Sequence, residues 1–476
     1  MQLSGKSNFM RNGTITFGEQ VVRLGLQLLG LILVSRLTSS YVFGVSALMI
    51  ALSTGLFCVT QFNVDSYLTA NPKIGDKEHG AIWSFLIVVN ISVGIALSVL
   101  ALSLHVSNSN FYIILGTTLT LFAWSIGSLP RAKLLCSGAF KRLFLVGILG
   151  SLTNLIASVS LLLILENGQI ALMISQVSAV MISSLAAIYL GKGDLKLGSP
   201  FKVPKTILKD FVHTTQSLVA NFLSRNLDTF LIYFAIGASA LGYYDRAYFL
   251  MLAAQQFLSQ VLGRIIVKDL SRFQGDDLDS RFLALTEFYV FTAILIFAPF
   301  VFFPDTLVNL LLGSNFEPST DLVRVLGVVG VLQSILATSG YYYLRKNRLK
   351  AQAAVTLQTA SIYIISFLLI PLIDFQILTF ALANCLASLI AIPVVYFSLS
   401  RISVNFFPSN IRLYSKRLLT NVFYITMIFS TIRYFLGVLP IVQMSLGYLL
   451  LFVTYYSKKS PLKDFRPVLL KSESRT

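Results

Sequence analysis

Ser217-Leu-Val-Ala-Asn-Phe-Leu-Ser-Arg-Asn-Leu-Asp-Thr-Phe-Leu-Ile-Tyr-Phe-Ala-Ile236 is long enough to cross a bilayer as one helix, yet it carries Arg225, Asn226 and Asp228 in its middle. At a rise of about 1.5 Å per residue, Arg225 falls about 15 Å from a helix start near Thr215, close to the midplane. Insertion there costs about 2.5–3.5 kcal/mol for an Arg or Asp, so such groups face protein, water or a substrate instead of lipid. Ser217, Asn221, Ser224 and Asp228 follow a 4-3-4 spacing that gathers them on one helical face, with Arg225 flanking it. The stretch reads as a helix lining a cavity.

The rest of the chain fits that reading. Of 476 residues 55% are hydrophobic and 12% charged, and the mean hydropathy is +0.77, which describes a polytopic membrane protein and excludes a soluble domain. The net charge of +17 would suggest nucleic acid in a soluble protein. Here the basic residues sit in short loops between apolar runs, so they report membrane topology, and no nucleic-acid partner is expected. Cys58, Cys136 and Cys385 are odd in number and far apart, which excludes a disulfide framework and a thiol metal site. His79, His105 and His213 are equally scattered. The first apolar run is interrupted by Glu19 and Arg23 and does not have the form of a cleavable signal peptide.

Hydropathy predicts about fourteen spans. Six precede a basic linker: 13–35, 41–64, 81–105, 111–129, 143–165 and 170–190. Eight follow it: 215–236, 247–267, 282–303, 322–344, 351–373, 377–399, 418–436 and 441–456. With an even number both termini share one side, and all but six of the 37 Lys and Arg fall on that side. The exceptions are Arg23, Arg36, Arg225, Arg246, Arg324 and Arg433. Both termini are therefore expected in the cytoplasm. The expected organisation is a six-helix half over 1–190, a basic cytoplasmic linker over 191–214, a second six-helix half over 215–400, and two further helices with a basic tail over 401–476. Leu31-Ile-Leu-Val-Ser-Arg-Leu-Thr-Ser-Ser-Tyr-Val-Phe-Gly44 superposes without a gap on Thr229-Phe-Leu-Ile-Tyr-Phe-Ala-Ile-Gly-Ala-Ser-Ala-Leu-Gly242. The two halves then run parallel around a central cavity, related by an axis along the membrane normal.

Charges recur within the first span, where Glu19, Arg23 and Gln27 share one face, with Arg23 at about the depth of Arg225. Two readings stand side by side. Glu19 with Arg23 and Arg225 with Asp228 are intrahelical ion pairs that neutralise each other, or the guanidinium groups line a wet cavity that receives phosphate. Asn221, Asn226, Asp228 and Gln27 complete the candidate binding set; Glu19 and Glu287 are candidate coupling carboxylates, although Glu287 also reads as an interfacial acid. The loops contain no phosphate-binding loop, no metal-ligand spacing and no nucleophile elbow. The longest outer loop, Pro304 to Asp321, is too short for a catalytic module. A transporter without cofactor or metal is expected, not an enzyme.

The chain resembles the polysaccharide-exporting flippases, including colanic and teichuronic acid exporters, of the multidrug/oligosaccharidyl-lipid/polysaccharide superfamily. The residues that carry the resemblance are Ser-Arg225-Asn226-Leu-Asp228-Thr-Phe-Leu-Ile, Ala240-Leu-Gly242-Tyr-Tyr244-Asp-Arg-Ala-Tyr248, Val267-Lys-Asp-Leu-Ser-Arg-Phe-Gln274 and Tyr41-Val-Phe-Gly44. Pro130-Arg-Ala-Lys-Leu-Leu and Phe140-Lys-Arg-Leu143 add to it. The resemblance implies alternating access in a bacterial inner membrane, with an undecaprenyl-pyrophosphate-linked oligosaccharide as cargo for a surface polysaccharide. It makes Arg23 and Arg225 the cationic residues of the cavity, and membrane lipids, a polysaccharide polymerase and export machinery the further partners. The alternatives are a cation-coupled multidrug or peptidoglycan-precursor exporter of the same architecture and, from another class, a membrane glycan polymerase or ligase, which needs a larger outer loop.

Overall fold

The computed structural model describes residues 22–61, 75–103, 108–191, 197–203, 205–369 and 374–403, with isolated positions in the stretches between and in the C-terminal region. Among the described residues every regular element is helical. In chain order these are α1 (22–37), α2 (Ser40–Thr60), α3 (Asp76–Ser103), α4 (Asn108–Cys136), α5 (Phe140–Ile164), α6 (Gly168–Gly191), α7 (Lys205–Ala235), α8 (Ala238–Leu270), α9 (Gly275–Phe302), α10 (Pro304–Leu311), α11 (Thr320–Arg345), α12 (Leu349–Leu369) and α13 (Ile377–Ser400). Ten of the described helices are long and apolar enough to cross a membrane. The amino-terminal part of the first expected span lies outside the described residues, as does most of the last two. α7 is long enough to span but too polar to be counted with the ten.

The chain forms two compact units, Met1–Asp245 and Arg246–Thr476. In the first, α6 packs along both α4 and α5, α3 lies on α4, and α2 lies on α4 and α7. A ladder of small residues at every fourth position makes α6 the hub: Ala171, Ser175, Ala179, Ser183 and Ala187 are all buried. In lipid there is little hydrophobic drive between helices, so close backbone approach over small side chains holds them together. The second unit repeats this scheme. α13 packs along α11 and α12, α9 lies on α11, and Ala383, Ala387 and Ala391 form the corresponding buried ladder on α13. The sixth expected span of each half thus plays the same part.

Polar clasps fix the second unit at one end. Buried Asp279 at the start of α9 accepts the Tyr342 hydroxyl at 2.6 Å and pairs with the Lys346 ammonium at 3.2 Å. Ser403, just after α13, donates to the same carboxylate. Arg345 donates to the carbonyls of Leu270 and Phe273, closing the exposed end of α8. From the C-terminal region, Phe429 is fully buried in a cluster on α9 and Tyr448 donates to the Leu295 carbonyl.

Two boundaries differ from the expectation. α7 starts at Lys205, well inside the stretch read as linker. Lysines end a membrane span but do not end a helix, since Lys is a good helix former. The loop expected over Pro304–Asp321 contains α10 and a 3-10 turn, Ser314–Ser319. Pro304 and Asp305 are residues that open a helix, and the hydropathy window averaged them with the glycine and proline that follow.

Candidate functional site

α7 carries its polar residues along one stripe, and the stripe is open in the middle and closed toward the helix's C-terminal end. Asn221 and Arg225 are exposed, one turn apart. Ser224 is half-buried and donates to the Asn221 carbonyl at 2.9 Å. Asn226 is half-buried and its amide donates to the Phe222 carbonyl of its own helix at 3.0 Å. Asp228 is 1% exposed. Its carboxylate accepts the Tyr244 hydroxyl of α8 at 2.7 Å and the Thr229 amide at 2.8 Å.

The hairpin explains the Asp228 contact. α7 ends at Ala235 and is followed by Gly237, whose φ of +125° suits a residue without a Cβ, and the chain turns there into α8. Asp228 and Tyr244 lie almost equally far from that turn on either side, so they meet. The ion pair considered between Arg225 and Asp228 is not formed: among the described residues Arg225 has no acidic partner, while the carboxylate is engaged by α8. The opposite side of α7 is fixed by packing. Phe222 rests on Gly55 of α2, where an added Cβ would stand 2.6 Å from the ring, and the Tyr233 hydroxyl donates to Asn110 of α4 at 3.0 Å.

On α1, Arg23 and Gln27 are half-buried one turn apart. No hydrogen bond or ion pair joins either to α7 among the described residues. Glu19 lies outside them, as does the side chain of Ser217. Glu287 is half-buried on α9, in the second unit. The chain therefore brings together Asn221, Ser224 and Arg225 as one open polar face, and it separates Asp228 from them by closing α8 over it.

Sequence reasoning missed two features. Tyr244 was seen only as part of a motif, though its spacing about Gly237 marks it as the partner of Asp228. In the second unit, Gln255 of α8 donates to Gln333 of α11 at 3.1 Å, and Gln333 donates to buried Asn384 of α13 at 3.1 Å. Nothing local in the sequence relates these three amides, because the contacts cross between distant helices.

The sequence matches the family of polysaccharide biosynthesis proteins over residues 33–321, more than half the chain. It is 26% identical over 149 residues to the teichuronic acid biosynthesis protein TuaB of Bacillus subtilis, a match covering 30% of each chain. In fold it is similar to the lipid II flippase MurJ in an inward closed conformation, with TM-score 0.72 and 16% identity over 94% of this chain and 99% of that one. An inward-facing multidrug resistance MATE family transporter of the MOP superfamily gives TM-score 0.57 and 14% identity over 81% and 95%. A superfamily transporter from Pyrococcus furiosus gives 0.51 and 15% over 83% and 96%. The helices, the repeated packing scheme and these likenesses agree on one fold, the fold of those transporters, and the chain belongs to the polysaccharide biosynthesis protein family.

Proposed function

We propose that the protein translocates an undecaprenyl-pyrophosphate-linked oligosaccharide across the inner membrane of a bacterium, by alternating exposure of a cationic site to the two faces. The observation that carries this is Arg225, an exposed guanidinium at mid-span whose neighbouring carboxylate is already engaged by Tyr244. A charge left uncompensated at that depth is costly unless it meets water or an anion, and a planar fork suits the oxygens of a pyrophosphate. Asn221 and Ser224 beside it add uncharged hydrogen-bonding groups suited to sugar hydroxyls, and Arg23 with Gln27 supplies the matching pair from the first span. In this reading 1–190 and 215–400 are the two transport halves, joined by the linker 191–214 and followed by the two helices of 401–476, with both termini in the cytoplasm. Glu19 and Glu287 are the candidate coupling carboxylates, and a polysaccharide polymerase takes the cargo on the far side.

The membership of a polysaccharide biosynthesis family supports this cargo class. The fold likeness to a lipid II flippase supports a second reading, a peptidoglycan-precursor exporter, whose cargo has the same diphosphate and prenyl chain. One experiment separates them. Deletion should abolish a surface polysaccharide and leave its lipid-linked units on the cytoplasmic leaflet while cell-wall synthesis continues; loss of cell-wall synthesis with the polysaccharide intact supports the second reading instead.

A further inference from the structure

The stretch between α6 and α7 is rich in lysine, and its described part is held against the helices. Gly198 presses on the start of α3, where an added Cβ would stand 2.6 Å from the Ala81 amide nitrogen. Val203 packs against the buried cluster that contains Ile82, Trp83 and Leu129. Between these two holds the 3-10 turn Pro200–Lys202 bares Phe201, 93% exposed, and just before the first hold Leu197 is 66% exposed.

The level of that turn in the membrane follows from its neighbours. Ala81 opens the apolar run of α3, and Trp83 lies just inside it with its indole N–H donated to the Ile126 carbonyl. Tyr189, 83% exposed, marks the end of α6. Aromatic residues at helix ends lie at the boundary between hydrocarbon and headgroups, so Phe201 is bared at that boundary. Two large apolar side chains gain by entering the leaflet there. The charge around them is mostly of one sign. Lys202 ends the turn and Lys205 follows it in sequence, and Lys77 and Lys141 are exposed at the same helix ends, where Glu78 is the exposed acid among the described residues.

We propose that the Pro200–Lys202 turn is a lipid anchor: Phe201 and Leu197 insert into the adjoining leaflet and the surrounding lysines hold anionic lipid headgroups. The anchor fixes the linker at the membrane surface and couples its attachment to lipid composition.

The test uses the full chain carrying Phe201→Cys, with Cys58, Cys136 and Cys385 changed to Ala, labelled with an environment-sensitive dye. It is reconstituted into vesicles of phosphatidylcholine alone or mixed with phosphatidylglycerol. The dye should resist quenching by acrylamide and be quenched by lipids brominated on their acyl chains, more so with phosphatidylglycerol. Each lysine changed to Gln, Lys202 or Lys205, should weaken the phosphatidylglycerol-dependent part by about fivefold. Acrylamide quenching as complete as for free dye, or identical responses in the two vesicles, overturns the proposal. If the cysteine-free chain does not accumulate, Phe201→Trp in the native chain reads the same outcomes by its emission shift above the signal of Trp83 and Trp124.

Discussion

Gly44 of α2 lies so close to Ala238 of α8 that a Cβ on the glycine would stand 1.8 Å from the alanine carbonyl oxygen. The contact is reciprocal: a Cβ on Gly242 would stand 1.8 Å from the carbonyl oxygen of Ser40. Ser40 and Ala238 occupy the same position in the gapless internal alignment, and so do Gly44 and Gly242. A contact in which each residue of a pair touches the counterpart of the other is the signature of a two-fold relationship, here acting within one chain. The faint sequence repeat is therefore expressed as backbone packing between the opening ends of α2 and α8.

Gly44→Ala and Gly242→Ala should each force these helix ends apart, because the obstructing atom is backbone and cannot rotate away. Overpacking of this kind costs about 1–3 kcal/mol. Each variant should show lower membrane abundance or a lower melting temperature in detergent. Gly25→Ala is the control, since a Cβ there meets nothing within 4 Å. Equal behaviour of all three variants would show that the crossing tolerates a methyl group and is not a close contact in the membrane.

Tyr244→Phe removes the hydroxyl donated to buried Asp228 and leaves that carboxylate oxygen without its partner. A loss of about 1–3 kcal/mol of stability is expected, seen as reduced thermal stability of the purified protein. Asp228→Asn keeps one acceptor oxygen for the Thr229 amide and presents an NH2 that the Tyr244 oxygen can accept by turning its hydroxyl, so it should be milder. If Asp228→Asn is as unstable as Tyr244→Phe, the negative charge itself holds the hairpin.

Among the described residues, span positions and the repeat were legible because both rest on local features. Apolar runs of bilayer length give the helices, and the pairing of Gly44 with Gly242 could be read from the alignment before any contact was known. The polar stripe on α7 was legible from spacing alone, as far as Asn221 and Arg225. Its closure over Asp228 was not, because periodicity places a residue on a face but does not say which neighbour covers that face. The amides Gln255, Gln333 and Asn384 were illegible for the same reason: each is an ordinary polar residue within its own span, and only the crossing of α8, α11 and α13 makes them a network.

Gln333→Leu breaks both links of that network and leaves Gln255 and Asn384 without a shared partner. Interhelical hydrogen bonds in membranes contribute about 0.6–2 kcal/mol each. A moderate fall in melting temperature with cargo transport largely kept is expected, marking the network as a helix clamp. Normal stability with transport lost would instead assign Gln333 to cargo recognition.

Topology is testable by reporter fusions along the chain. Fusions after Lys205, Arg348 and Lys459 should report cytoplasm and one after Asn315 the outside, since the basic loops follow one side. Asn315 stands in the 3-10 turn between α10 and α11, so a fusion there interrupts no span. A cytoplasmic signal at Asn315 would break the arrangement of fourteen spans.

In the proposed mechanism the arginines receive the cargo, and their variants should separate charge from geometry. Arg225→Lys keeps the positive charge but loses the bidentate fork, so part of the export should survive; Arg225→Ala should retain very little. A hydrogen bond to a charged group contributes about 1.5–3 kcal/mol, which corresponds to a drop of roughly one to two orders of magnitude in flipping rate per guanidinium if the bond is made to the cargo. Arg225 is exposed and has no acidic partner among the described residues, so its removal strands no buried carboxylate. Arg225→Ala should accordingly reach the membrane at near wild-type levels while export fails. Arg23→Ala should lose export in the same way, with the same immunoblot of membrane fractions beside the transport assay. If both alanine variants accumulate normally and still deliver polysaccharide to the cell surface as the wild type does, neither arginine receives the pyrophosphate, and the cationic site must be sought elsewhere in the chain.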